Sequence, residues 1–127
     1  MTPRLVLRPN RLHPITMDTG VRVTVRLRGR VIADTQQAIT LRESKSAPVQ
    51  YIPRADVEPD VLRPSDHATY CPFKGAATYF SLVAGDEAAA AWAYPEPHAA
   101  VAEIKDHVAF HPDHVDSIRG APCSLST

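Results

Sequence analysis

Cysteine is scarce in this chain: 127 residues include two, Cys71 and Cys123. Two cysteines make neither a disulfide framework nor a zinc site of paired thiolates. Both are expected as free thiols of a reducing compartment, with Cys123 loose near the C-terminus. An excess of either charge is lacking too. Fourteen Lys and Arg balance fourteen Asp and Glu, so the chain carries no basic footprint for nucleic acid. Long apolar runs are missing. None approaches the roughly 20 residues that span a bilayer, and the apolar part of residues 1–9 is too short for a secretory signal. Nor is there a glycine-rich phosphate loop or an internal repeat. These absences point to a soluble, cytoplasmic protein with no nucleic-acid and no membrane partner.

What the chain has in plenty is proline. Its twelve prolines are about twice the average share of roughly 5%. Proline interrupts helix interiors and central strands, so short strands joined by turns are expected in place of long helices. A hydrophobic share of 44% over this length suffices for one compact domain with a core. The expected class is mostly β, α+β with one short helix, in a single domain over 21–118, between an arm at 1–20 and a tail at 119–127.

The clearest strand is Val21–Leu27, where Val21, Val23, Val25 and Leu27 alternate with Arg22, Thr24 and Arg26. Arg28-Gly29-Arg30 turns the chain into a second strand at 31–34. Thr35-Gln36-Gln37 reads as another turn, before a third strand at 38–43. A short strand at 49–52 ends at Pro53, and 54–60 reads as turns. Residues 63–75 read as a central loop, followed by strands at 76–83, 87–94 and 108–110. Pro97 to Lys105 is the one helix candidate, with Pro97 in its first turn and Val101 and Ile104 as its apolar stripe.

The loop Arg63–Gly75 gathers an acid, an imidazole, hydroxyls, a thiol and an ammonium between prolines and a glycine. Cys71 is the candidate nucleophile, because a nearby cation such as Lys74 favours the thiolate. His67, four residues back, is its candidate acid or base. The competing reading makes Cys71 a small buried hydrophobe. Lys74 and Gly75 suit an anion contact, the glycine through close backbone approach and the lysine as a compact donor. Tyr51, Trp92 and Tyr94 are expected to wall a cleft, with Tyr79 and Phe110 in the core. Glu43 and Asp66 are further acids, and turn capping is the other role open to them. The spacing of His107, His111 and His114 resembles a metal-ligand pattern, but Pro112 interrupts any helix that would align them, so no metal is expected.

Three blocks resemble the family described as domain of unknown function 427. The first runs from Ala33-Asp34-Thr35 through Leu41 and Glu43 to Pro48, Tyr51, Pro53 and Asp56-Val57. The second is Leu62 to His67 with Thr69-Tyr70-Cys71-Pro72-Phe73-Lys74-Gly75, Ala77 and Tyr79. The third holds Trp92, Tyr94-Pro95-Glu96-Pro97, Ile104, His107 to Phe110, Pro112 and Val115-Asp116. The resemblance covers Val21 to Ile118, and departs at Gln50 and Ala55. It implies a small, mostly β domain with a curved antiparallel sheet and a cleft, similar in outline to tent-shaped β domains that often hold zinc on paired cysteines. Those pairs are missing here, so the metal does not carry over. The family is also labelled nucleotidyltransferase-like, but the paired-aspartate strand of such enzymes is not found.

The favoured expectation is a small-molecule binder. Its ligand carries phosphate or carboxylate and sits between the Cys71–Gly75 loop and the aromatic rim. No cofactor is specified. The alternative is an interaction or homodimerisation module without catalysis, and a third reading is a nucleotidyltransferase-like enzyme.

Overall fold

The structure, a computed structural model, describes residues 4–83 and 89–122. Eight strands form it: β1 (Ile15–Leu27), β2 (Arg30–Glu43), β3 (Val49–Pro53), β4 (Leu62–Cys71), β5 (Gly75–Leu82), β6 (Ala91–Ala93), β7 (His107–Phe110) and β8 (Ser117–Pro122). They make one open sheet in the order β4-β5-β6-β7-β3-β2-β1-β8. Every neighbouring pair runs antiparallel. The mostly β expectation holds.

The alternation at Val21–Leu27 lies in β1, which starts earlier, at Ile15. The turn at Arg28-Gly29 is also as read. Both residues take positive φ, 52° and 79°, the hand that matches strand twist in a tight hairpin. The expected turn at 35–37 is not one. Arg30–Glu43 is a single strand, and its irregularity is absorbed by register shifts against β1 around Val21 and Val23. The Thr35 hydroxyl, bonded to the Gln37 amide at 2.9 Å, supplies the local partner such a bulge needs.

The expected central loop is the largest correction. Residues 62–71 form β4, an edge strand paired with β5. Pro64 is tolerated because an edge strand has one side without ladder bonds, and the register slips between Pro64 and Ala68. Only residues 72–74 remain as the turn. The helix candidate breaks as well. Ala99–Ile104 is 3₁₀ in character and kinked at Val101 (φ −129°, ψ 29°), although Val101 and Ile104 are buried as the stripe implied. The strand expected over 87–94 lies partly outside the described residues, and its described part is β6. Residues 119–122, expected in the tail, belong to β8. Cys123 lies outside the described residues.

The centre of the sheet is buried on both faces. In β3, Tyr51 packs into one cluster and Ile52 into the other. In β7, Ala109 faces one way while Val108 and Phe110 face the other. Since side chains alternate along a strand, the two clusters lie on opposite faces. The first face gathers Val23, Val25, Ile32, Ile52, Phe80, Leu82 and Val108, covered by Val57 and Val61 of the 54–61 turns. The second gathers Ile39, Leu41, Tyr51, Tyr94 and Ala109, covered by Val101 and Ile104.

Candidate functional site

The β4–β5 hairpin tip carries the site. The Lys74 amide bonds to the Cys71 carbonyl at 3.2 Å and closes the turn. Gly75 follows at φ 119°, a conformation that side chains disfavour. A Cβ there would also lie 3.1 Å from the Glu96 carbonyl oxygen. Behind it the His98 amide donates to the Lys74 carbonyl at 2.9 Å. Lys74 is thereby held in place through its backbone.

Its side chain reaches across the sheet. Lys74 Nζ lies 2.5 Å from Glu43 Oε1 at the end of β2, although β2 and β4 are not neighbours in the strand order. His13 Nε2 lies 2.6 Å from the other carboxylate oxygen. The His13 ring stacks on Phe73 with centroids 3.8 Å apart and planes 12° from parallel. Local bonds fix His13. Asn10 and His13 exchange backbone bonds at 3.1 and 3.2 Å, and Asn10 Oδ1 accepts from the amides of Leu12 and His13. The Ser44 amide then donates to the Pro14 carbonyl at 2.8 Å, tying the segment to the end of β2.

The Lys74 and Glu43 side chains retain only 13% and 16% of their exposure. Burial pushes the Glu43 carboxyl up, but hydrogen bonds from Lys74 and His13 outweigh it and hold the group below its ordinary value. Burial likewise pulls Lys74 down, and the bond to Glu43 more than restores it, leaving it above its ordinary value. The pair is therefore charged at neutral pH.

Beneath the pair lies aromatic surface. Lys74 Nζ sits 5.6 Å from the centroid of Tyr94, a cation–π distance. Tyr51 and Tyr94 rings are 6.5 Å apart, and Trp92 Nε1 donates to the Tyr51 hydroxyl at 3.3 Å. Burial raises both tyrosine hydroxyls above their ordinary pKa. Cys71, partly buried, packs against the same cluster. The structure thus brings Cys71, Lys74, Gly75, Tyr51, Trp92 and Tyr94 together, with a corrected division of labour. Tyr51 and Tyr94, expected as cleft walls, are only 1% and 6% exposed and belong to the buried core beneath Lys74. Tyr79, expected in the core, is half-buried, while Phe110 is buried as expected.

His67 does not join them. It is exposed on β4 and meets Tyr79 edge-on at 4.5 Å. With β4 extended, four residues separate it from Cys71 by about 13 Å of strand at roughly 3.3 Å per residue. That is too far for a direct proton exchange, so the structure does not assemble Cys71 and His67 into a nucleophile and base. His111 and His114 face each other at 4.9 Å. His107 turns its Nδ1 to the Lys105 carbonyl instead, at 2.7 Å. Among the described residues no group of three or more His, Cys, Asp and Glu side chains is placed to hold a metal ion. No helix among them is long and apolar enough to cross a membrane.

Sequence reasoning missed His13 and the contact of Phe73. His13 lies 30 residues from Glu43, in a segment without strand or helix periodicity, and no local signal links the two. Glu43 was visible as an acid but not its position.

Comparison with protein families finds a match over residues 16–120, to the model described as Domain of unknown function (DUF427). The matched span takes in every site residue above except His13. Comparison with curated proteins finds no match.

Proposed function

The chain belongs to the DUF427 family, and from that premise we propose that it binds a small acidic molecule at Lys74, between the hairpin tip and the aromatic floor. One observation carries this reading. The Lys74 ammonium has three N–H donors, is nearly buried, and spends one of them on Glu43. Its other side-chain contact among the described residues is the face of Tyr94. A carboxylate or phosphate group takes the remaining donors. The rest of the ligand then lies by the partly exposed Cys71 and Trp92. A charged pair this deep adds little net stability compared with apolar side chains of the same volume, which favours a binding role over a purely structural one. In this proposal Cys71 is a wall and not a nucleophile. The test is calorimetric titration with a panel of small carboxylates and phosphates. At least one is expected to bind below millimolar, and Lys74→Met is expected to weaken it about tenfold, or about 1.4 kcal/mol. A panel with no such binder, or a Lys74→Met variant that binds as wild type, overturns the proposal.

A second reading, an interaction or homodimerisation module, has its own observation. The N-terminal segment exposes Leu5, Val6 and Leu12, the last at 91%. Light scattering across a concentration series separates the readings: a dimer that Leu12→Ser dissolves supports the module, and a monomer throughout removes its homodimer form.

A further inference from the structure

A recess of about 380 Å³ is lined by Arg54, Asp106, Phe80, Ala93, Tyr94 and Pro95, together with a threonine. Its size falls within the roughly 300–1,000 Å³ of small-molecule sites. Two opposite charges border it without closing on each other. Arg54 and Asp106 are backbone neighbours, the Arg54 amide donating to the Asp106 carbonyl at 2.8 Å where β3 meets β7. Their side chains are thus placed for an easy ion pair, yet none forms. The Arg54 guanidinium is turned instead onto the face of Phe80, 4.9 Å from its centroid. Neither group has an ion-pair partner among the described residues.

Arg54 thus sits over Phe80 without an ion-pair partner, and a guanidinium suits a carboxylate, which it engages in bidentate fashion. Asp106 offers a carboxylate for an ammonium. The floor between them, Phe80, Ala93, Tyr94 and Pro95, is apolar. A ligand matching all three features carries a carboxylate, an ammonium a few bonds away and an apolar side chain. We propose that this recess binds a free α-amino acid with an apolar side chain. Its carboxylate lies on Arg54, its ammonium on Asp106 and its side chain on the apolar floor. The proposal does not depend on ligand binding at Lys74.

The backbone at Asp106 sets the choice of variant. Its φ is 62°, a region that Asp and Asn adopt more readily than other side chains, so Asp106→Asn removes the charge and keeps the turn. The experiment is NMR titration of the full chain with leucine, valine and methionine, and with 4-methylpentanoate, the analogue of leucine without its amino group. Wild type is expected to bind at least one amino acid at millimolar or lower concentration. Arg54→Met is expected to weaken amino acid and analogue alike, by about tenfold or more. Asp106→Asn is expected to weaken the amino acid by a similar factor and leave the analogue unchanged. Thermal unfolding confirms that each variant is folded, and Arg54→Lys serves if Arg54→Met is not. The proposal is overturned if no amino acid saturates the protein. It is equally overturned if Asp106→Asn affects both ligands alike, or neither.

Discussion

The two faces of the sheet are built from the same strands and by different rules. One is mainly apolar: Val23, Val25, Ile32, Ile52, Phe80, Leu82 and Val108 meet there, and the buried hydroxyls of Thr35 and Thr40 beside them are bonded to Asp56 and Gln50. The other mixes aliphatic residues with Tyr51, Tyr94, Trp92 and Cys71, and the Glu43–Lys74 pair borders it. Polar atoms buried there call for partners: Trp92 finds one in the Tyr51 hydroxyl, whereas His98 Nδ1, beside Gly75, has none among the described residues. Burial on the first face is chiefly aliphatic packing. On the second, the residues that pack the core also border the proposed binding site, so a substitution there is expected to alter binding and stability together.

The sharpest test of this contrast sets adjacent residues of β3 against each other. Ile52→Ala opens a cavity at a fully buried position and is expected to cost about 2–5 kcal/mol. Tyr51→Phe keeps the ring, removes only the acceptor of the indole, and is expected to cost about 1 kcal/mol. Urea denaturation measures both, and equal costs would erase the distinction between the faces.

Next in size is Lys74→Met, expected to cost about 1–3 kcal/mol because it leaves Glu43 with His13 as its one partner. Its pH dependence sharpens the point. The Glu43 carboxyl is held below its ordinary value of 4.5, so its contribution is complete above that value. It is lost as pH falls through the lower, folded-state value. Denaturation midpoints measured from neutral to acid pH are expected to fall less steeply in Glu43→Gln than in wild type. An identical slope would mean that the carboxylate is no better placed in the folded chain than in the unfolded one.

The smallest effect is expected at Arg22 and Asp34. Their pair is bidentate at 2.8 and 3.0 Å, but both side chains are about half exposed, so Asp34→Asn is expected to change stability by about 0–1 kcal/mol. A thermal shift as large as that of Lys74→Met would show that burial is not what separates the two pairs.

Local chemistry made much of the fold legible. The faultless alternation at Val21–Leu27 and the Arg28-Gly29 turn needed nothing beyond their own neighbours. Thr35-Gln36-Gln37 misled because three polar residues look alike in a turn and in a bulge within a strand, and only pairing with β1 decides. Residues 63–71 misled for a related reason. Proline and clustered polar groups disqualify a central strand, but the strand order puts β4 at the edge, where both are allowed. In the site, the Cys71 to Gly75 turn was legible because its parts are contiguous. The Glu43–Lys74 pair spans 31 residues and the His13–Glu43 pair 30. Such contacts are products of how the sheet curves and leave no periodic trace.

The Glu43–Lys74 contact also bears on time as well as on energy. The β1–β2 and β4–β5 hairpins each close locally through short turns, whereas this bond joins the open end of the first to the tip of the second and needs the strands between them in place. A contact that needs so much prior order is expected to be absent when the folding barrier is crossed. It then leaves the rate of folding almost untouched and slows the rate of opening. The bond is in that sense a latch: it does little to help the sheet assemble and governs how long the assembled sheet stays shut.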